Sequence, residues 1–308
     1  MKPERRQRLV QVAKRYYLDD WKQSEIAAEL GVSRPLISRM LTAAKRLGIV
    51  EIKIHDPEEK SRQLMTALKK NYRLYGGMLV PDEASEHETN ERLAAGAFSF
   101  LETMQLGSVG IGWGTFIGGM AAALEKKPNG TLTAKQILPL IGNAPLSIRN
   151  YHTNETVRLL AKGLHAEPSF LYLPAFPESV EEKEILCSTE LYRQMEADWG
   201  RMDTALVNIG NYPATPDFAS GARYGTALQE HGACGRMLAY FYNEEGDIIH
   251  SEMDFAIQIP ISLLKNCPRV IGLCSANTSA KALRGALRTG IFTHIIAREA
   301  LAEECLKG

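Results

Sequence analysis

Two groups of residues in this chain have types and spacings suited to chemistry, and they ask for different partners. Arg34, Ser38 and Arg39 fall on the side of a helical pattern opposite Ile37, Met40 and Leu41. Guanidinium forks and hydroxyls on an exposed helix face suit the base edges and phosphates of double-stranded DNA. The second group sits in three glycine- or serine-rich loops, each after an apolar run. The first is Gly112-Trp113-Gly114-Thr115, where the glycines let backbone approach a ligand and Thr115 opens a helix. Free N–H groups and the helix dipole there could cradle a phosphate. The alternative is a tight turn, since the loop is neither a P-loop nor a full dinucleotide fingerprint. Gly142-Asn143 and Ser275-Ala276-Asn277-Thr278-Ser279 are the other two. Together they describe a pocket for a small polar or anionic ligand.

The DNA-facing group needs a rigid mount, and the surrounding residues supply one. Ser24 reads as the cap of a helix with Ile26, Ala27 and Leu30 on one face. Gly31 permits the left-handed turn of a helix-turn-helix, Ser33 caps the second helix, and Pro35 sits in its first turn. A preceding helix brings Leu9, Val12, Ala13, Tyr16 and Tyr17 to the core, and Ile49–Ile54 alternates as one strand of a wing. Ser24, Ser33, Arg34, Pro35, Ser38, Arg39 and Lys45 are the candidate DNA contacts. Residues 1–56 thus read as a mostly α, winged helix-turn-helix domain. Pro57 ends the wing, and 57–75 form a linker helix with Leu64, Leu68 and Tyr72 in line, packed on its own domain or used in dimerisation.

From 76 to 308 apolar runs alternate with helical stretches: GGMLV, SVGIG, QILPLIG, SFLYLPA, TALVNIG, MLAYFY, RVIGLC and THIIA are the runs. This implies an α/β, Rossmann-like domain with a largely parallel sheet, whose ligands bind at the carboxyl ends of the strands. GACGRMLAYFYNEEGDIIH reads as a hairpin turning at Glu244–Gly246, with Arg236 and Asn243 bracketing its first strand. Arg236 is either an anion ligand or a solvated surface charge.

The charge balance fits this division. The 308 residues carry 36 basic and 36 acidic side chains, yet residues 1–55 hold 12 Lys and Arg against 6 Asp and Glu. A basic head on an acidic body suits a DNA reader with a second, non-DNA domain. The five cysteines have no metal or disulfide spacing. The uncharged run Thr103–Leu124 is long enough to span a bilayer, but its glycines break it, and no signal-peptide pattern opens the chain. A cytoplasmic protein without membrane, metal or cofactor is expected. Catalysis is not: Glu88, Asp203, Asp217, Glu252 and Asp254 pair with no lysine or histidine at an informative spacing, and His152, His231 and His250 read as surface or core. A DNA-tethered enzyme, or a regulator with a degenerate pocket, are the competing readings.

In order along the chain, QSEIAAELGVSRPLISRMLTAAKRLGIVEIKI, VGIGWGT, LPAF, ALVNIG, GACGRMLAYFYNEEGD and ALRTGIFTHIIAREALAEECL resemble the SorC family of sugar-responsive bacterial regulators. The resemblance covers nearly the whole chain. It implies a sugar-phosphate-isomerase type of effector domain, a homo-oligomer (dimer or tetramer), and operator binding modulated by a sugar or sugar phosphate. Ser279 stands where the family usually has a lysine, with Lys281 two residues on. Asn243 stands where Phe-Phe-Asp usually ends, and Arg236 where an acid is common. A changed or unusual effector follows from those departures.

Overall fold

The computed structural model describes residues 3–52, 56, 58–126, 132–144, 152–214 and 223–308. The chain forms two compact units, Met1–Asp56 and Pro57–Gly308.

The first unit contains α1 (Pro3–Tyr17), α2 (Gln23–Glu29) and α3 (Arg34–Arg46). Their apolar stripes meet in a core of Val12, Ile26, Ala27, Ile37 and Leu41, with Tyr16, Tyr17, Leu30, Val32 and Met40 around it. Gly31 adopts φ +64° between α2 and α3, the left-handed conformation expected of it. Two local expectations are corrected. Ser24 lies inside α2, whose cap position is Lys22; the Lys22 backbone N–H donates to the Glu25 carboxylate at 2.8 Å. Glutamate three residues on outcompetes serine by closing the turn from within. The strand expected over Ile49–Ile54 is absent from its described part, 49–52, while Lys53, Ile54 and Pro57 lie outside the described residues. A lone alternating segment has no ladder to join here, because no partner strand is described in this unit.

The second unit opens with α4 (Glu59–Tyr72), whose buried Leu68 packs into the body's core. Then follow β1 (Gly76–Val80), α5 (Glu86–Glu102), β2 (Ser108–Ile111), α6 (Thr115–Lys126), β3 (Gln136–Pro139), α7 (Thr153–Gly163) and β4 (Glu167–Pro168). Next are α8 (Val180–Cys187), α9 (Glu190–Trp199), β5 (Thr204–Asn211), α10 (Ala227–Glu230), β6 (Ala233–Met237), β7 (Tyr240–Asn243) and β8 (Ile248–Ile249). The unit closes with α11 (Ile261–Asn266), β9 (Arg269–Cys274), α12 (Ala280–Arg288), β10 (His294–Arg298) and α13 (Glu299–Leu306). The strand order is β1-β10-β9-β5-β2-β3-β4, with every neighbouring pair parallel. An antiparallel β6-β7-β8 extension hangs from the end of β5.

Alternate residues of the central strands feed two cores. Val109, Ile111, Leu206, Ile271, Leu273 and Ile296 face one layer with α5, α6 and α7. Ala205, Val207, Ile209, Val270, Cys274 and Ile295 face the other, with α4, α9, α12 and α13. Trp199 anchors the second core; its indole N–H donates to the Pro139 carbonyl at 2.8 Å. The uncharged Thr103–Leu124 run is divided among the turn after α5, β2, the loop at Gly112–Gly114 and α6. No helix among the described residues is long and apolar enough to cross a membrane.

Two strand assignments change. SFLYLPA is not a strand. Pairing there is confined to Glu167–Pro168 against Gln136–Ile137 and one bridge between Pro174 and Asn143. Side-chain amides replace the ladder: Asn154 donates to the Leu171 carbonyl (3.1 Å) and accepts from the Leu171 N–H (3.0 Å). The presumed hairpin is a three-stranded meander, because Leu238 takes φ +52° and turns the chain between β6 and β7. Arg236 and Asn243 therefore lie on different strands.

Gly285, in mid-α12, shows how tightly the meander is held. A Cβ there would lie 2.3 Å from the Asn243 carbonyl oxygen and 2.9 Å from the Tyr242 ring. Gly285→Ala is expected to cost about 1–3 kcal/mol through overpacking, read as a lower urea midpoint with an unchanged m-value.

Candidate functional site

In the first unit the outer face of α3 collects most of the residues expected there. Ser33, Arg34, Pro35, Ser38 and Arg39 are all exposed, while Ile37 and Leu41 seal the opposite side. Ser33 occupies the cap position without a side-chain hydrogen bond to the helix. Arg34 and Arg39 have no acidic partner among the described residues. Arg15 differs: it is paired with Glu29 and lies 5.2 Å over the Trp21 ring. Lys45 is exposed, its ammonium 5.8 Å above the Tyr17 ring.

In the second unit the strand order reverses between β5 and β2, and such a reversal opens a crevice at the carboxyl edge of a parallel sheet. Three neighbouring strands, β9, β5 and β2, end there, spanning about 10 Å at the usual strand spacing. From β2, the Gly112 N–H donates to the Leu206 carbonyl at 2.9 Å. Gly114 then takes φ +121°, and Thr115 begins α6 with its side chain exposed. From β5, Asn211 ties two loops together: its Nδ2 donates to the Asn277 carbonyl (2.9 Å) and its Oδ1 accepts from the Ser279 N–H (2.8 Å). Arg236 on β6 crosses the end of β5 opposite Gly210. A Cβ on Gly210 would meet the arginine stem at 3.3 Å. Ser279 Oγ accepts from the Ala282 N–H at 3.2 Å and so caps α12. Lys281 is exposed two residues on, its carbonyl accepting from the Cys234 thiol at 3.4 Å. Burial, then Glu244 and Glu245, push that thiol up to about 11, so it stays protonated near neutrality.

The structure thus gathers Gly112, Gly114, Thr115, Arg236, Ser279 and Lys281 along one edge. Other expected residues are otherwise engaged. Trp113 is buried, its indole N–H donating to the Leu238 carbonyl at 3.4 Å. Gly142 lies under the Leu173–Pro174 backbone, only 2.6 Å from the site its Cβ would fill. Asn143 donates to the Leu171 carbonyl and accepts from the Asn154 N–H, beside a cleft of about 620 Å³ shared with His152 and Tyr172. Asn243 closes the β7–β8 turn through both its amide atoms and Asp247.

The acidic residues considered for catalysis have structural partners: Glu88 pairs with the cap Ser85, Asp203 with Arg269 at the opposite edge of the sheet, and Asp254 with Arg223. Glu252 is exposed, and Asp217 lies outside the described residues. The Arg223 cluster was not legible in the sequence. Its side chain is 5% exposed, its guanidinium sits 4.4 Å over the Phe176 ring, and Tyr224 donates to the other Asp254 oxygen at 2.5 Å. Phe176 in turn packs on Trp113 at 5.8 Å. An ion pair between residues 31 positions apart leaves no local pattern; only proximity reveals it.

A chain of hydrogen bonds leads away from this edge. The Ala276 N–H donates to Asn90 at the start of α5 (2.8 Å), and the neighbouring Thr89 hydroxyl accepts from the Glu83 N–H (3.0 Å). Asp82 accepts from Arg298 (3.0 Å) and the Ala300 N–H (3.2 Å). Between those two, buried Glu299 receives the Ser61 hydroxyl and faces Lys60 at 3.6 Å. Ser61 and Lys60 lie in the first turn of α4.

The second unit is a doubly wound α/β domain whose carboxyl-edge loops lie where sheets of this kind bind ligands. Residues 56–307 match the family model described as a "putative sugar-binding domain". The chain is 27% identical over 308 residues to the deoxyribonucleoside regulator of Bacillus subtilis, covering 96% of each chain. It is 25% identical over 313 residues to the sorbitol operon regulator of Klebsiella pneumoniae, covering 97% of each. The crystal structure of that full-length sorbitol operon regulator superposes with a TM-score of 0.72 over 97% of this chain and 98% of that one, at 24% identity. The chain therefore belongs to this sugar-binding-domain family and, within it, to the SorC family of transcriptional regulators.

Removing one member of the Arg223–Asp254 pair strands a buried charge. Asp254→Ala is expected to cost about 3–5 kcal/mol, while adding Arg223→Met to the same chain should recover most of it. Urea unfolding of the two variants and the parent checks this.

Proposed function

We propose that this chain is a sequence-specific DNA-binding transcriptional regulator whose operator affinity is set by a small-molecule effector. In this reading α2, the Gly31–Ser33 turn and α3 are its helix-turn-helix, and residues 1–56 its DNA-binding domain. A sugar or sugar phosphate binds the body at the carboxyl ends of β9, β5 and β2. The observation that carries the DNA reading is the pair of exposed arginines, Arg34 and Arg39, without acidic partners on a helix whose other face is sealed in a core. A basic face held rigid and left unneutralised is what duplex binding requires. The effector reading is supported by membership of the sugar-binding-domain family and by relatives named for deoxyribonucleosides and sorbitol. Ser279 in place of a lysine favours an effector that relies less on a phosphate than is usual.

The bonds from Ala276 through Asn90, Asp82 and Glu299 to Ser61 offer a route by which loop changes at the pocket reach the root of α4. Helix-turn-helix proteins commonly read two half-sites, so a homo-oligomer, dimer or tetramer, is the working form. Effector and operator must then strengthen or weaken each other by the same factor.

Arg39→Ala is expected to cost about 1–3 kcal/mol on an operator selected from random DNA and to flatten base preference, as a base-edge arginine should. An equal loss on random duplex would instead make Arg39 a phosphate contact. Thr115→Val is expected to abolish release or recruitment by effector while leaving operator affinity unchanged. Fluorescence anisotropy on labelled operator, with and without hexitols, pentoses and their phosphates, reads both. A Thr115→Val protein that still responds would remove this residue from the site.

A further inference from the structure

Asn208 stands in a stretch where every other requirement is for apolar side chains. Along β5, Ala205, Val207 and Ile209 feed the core under α9 and α12, and Leu206 faces the α6 side. By strand alternation Asn208 points the same way as Leu206, one pleat closer to the crevice. There it meets the β2 loop: a Cβ on Gly114 would sit 3.5 Å from Asn208 Nδ2 and 3.8 Å from its Cγ. The carboxamide oxygen is sealed from solvent and has no donor among the described residues. No other hydrogen bond of this side chain is formed among them either, in contrast to Asn211, three residues on, which spends both amide atoms on the neighbouring loop.

The oxygen of this amide makes no hydrogen bond that supports the fold. A leucine has the same heavy-atom branching, with bulkier methyl groups, and leaves no buried acceptor unpaired, and an unpaired acceptor is a cost that burial makes worse. An unpartnered polar group at the strand-order reversal, where open α/β sheets bind ligands, points to a ligand contact. We propose that Asn208 is the specificity-determining residue of the effector site, and that it reads a hydroxyl group of a polyol or sugar. The proposal rests on the effector reading given above. A hydroxyl is the matching group because it both donates and accepts. Rotation of the amide about its terminal bond, whose torsional minimum is broad, can turn either atom toward the loop, and a hydroxyl satisfies either. An ionised phosphate accepts only, so it can pair with the amide nitrogen but never with the oxygen.

The test uses the full chain and three proteins: the parent, Asn208→Leu and Asn208→Asp. Without added compound, Asn208→Leu is expected to melt at or above the parent temperature. A fall of more than about 4 °C would show that the amide serves the fold, and would overturn the proposal. Calorimetric titration then uses hexitols, pentoses and 2-deoxypentoses, each free and phosphorylated. The tightest compound should lose at least about tenfold in affinity with Asn208→Leu, the scale of a lost buried hydrogen bond, and stay within about threefold with Asn208→Asp, which keeps the acceptor. Removing the hydroxyl that is read should weaken the parent and leave Asn208→Leu unaffected. Binding to Asn208→Leu within about twofold of the parent overturns the assignment. If Thr115→Val loses binding in that same case, the effector site stands and only the role of Asn208 falls. If no compound binds the parent, the effector reading fails and this one with it.

Discussion

The parallel register of β9, β5 and β2 is the constraint on which the rest of the body depends. With every pair in the main sheet parallel, each return passes through a covering helix or layer, and all carboxyl ends collect on one edge. From β2 the chain steps outward to β3 and β4. From β5 it goes through the β6-β7-β8 meander to β9 and β10 on the other side. The two directions part between β5 and β2, so the loops leaving them have no common layer to fill the space above the sheet. Close packing elsewhere sharpens the contrast. Gly110 lies against Leu140 and Met202 with no room for a methyl, and Gly272 against Ile209 and Phe292. The sheet tolerates nothing extra at its centre and leaves polar groups at its rim.

How those rim groups are spent separates structural from functional polarity. Asn143 and Asn154 close on the Leu171 segment, Asn211 and Ser279 stitch β5 to the start of α12, and Thr278 donates to the Ile209 carbonyl at 3.2 Å. Each replaces a backbone bond that an irregular segment cannot make for itself, and each is saturated by the protein. Arg223 is held by Asp254 and by two aromatic faces. Unpartnered nitrogens on Arg15, Arg223 and Arg298 belong to guanidinium groups already paired with carboxylates, whereas the Asn208 amide oxygen belongs to a side chain with no such pairing among the described residues.

Much of this was legible in the sequence because it rests on period and punctuation. The parallel strands appear as uninterrupted apolar runs, and the loop at Gly112–Thr115 announces itself by glycines after such a run. Gly31 sits where its turn demands positive φ. What was not legible depends on which of two local partners wins, or on residues distant in the chain. SFLYLPA has the composition of a buried strand, but Asn154 and Asn143 capture its backbone before a ladder can. MLAYFY reads as one strand until Leu238 reverses it. Ser24 has the chemistry of a cap, yet Glu25 closes the turn on Lys22, two residues earlier. Asn208 is hidden for the opposite reason: inside TALVNIG it looks like an ordinary interruption of a strand, and only the emptiness of its hydrogen-bonding shell distinguishes it.

The same edge that presents the loops also holds the root of α4, and parallel topology makes that unavoidable. α4 leads into β1, so its end lies toward the amino edge of the sheet and its start toward the carboxyl edge. There Glu299, buried at the first residue of α13, accepts from Ser61 and faces Lys60, which also reaches Glu303 at 2.7 Å. A buried carboxylate tolerates few alternative partners, because every arrangement that leaves it unpaired is costly. It is therefore held as a fixed contact to the first turn of α4 rather than as a flexible surface charge. The residues beside it, Arg298 and Ala300, are both fixed by Asp82, which leads through Glu83 and Thr89 to the Asn90 side chain under Ala276. A displacement of the Ala276 loop meets the first bond of this series, and the series ends on the helix that follows the basic head in the chain.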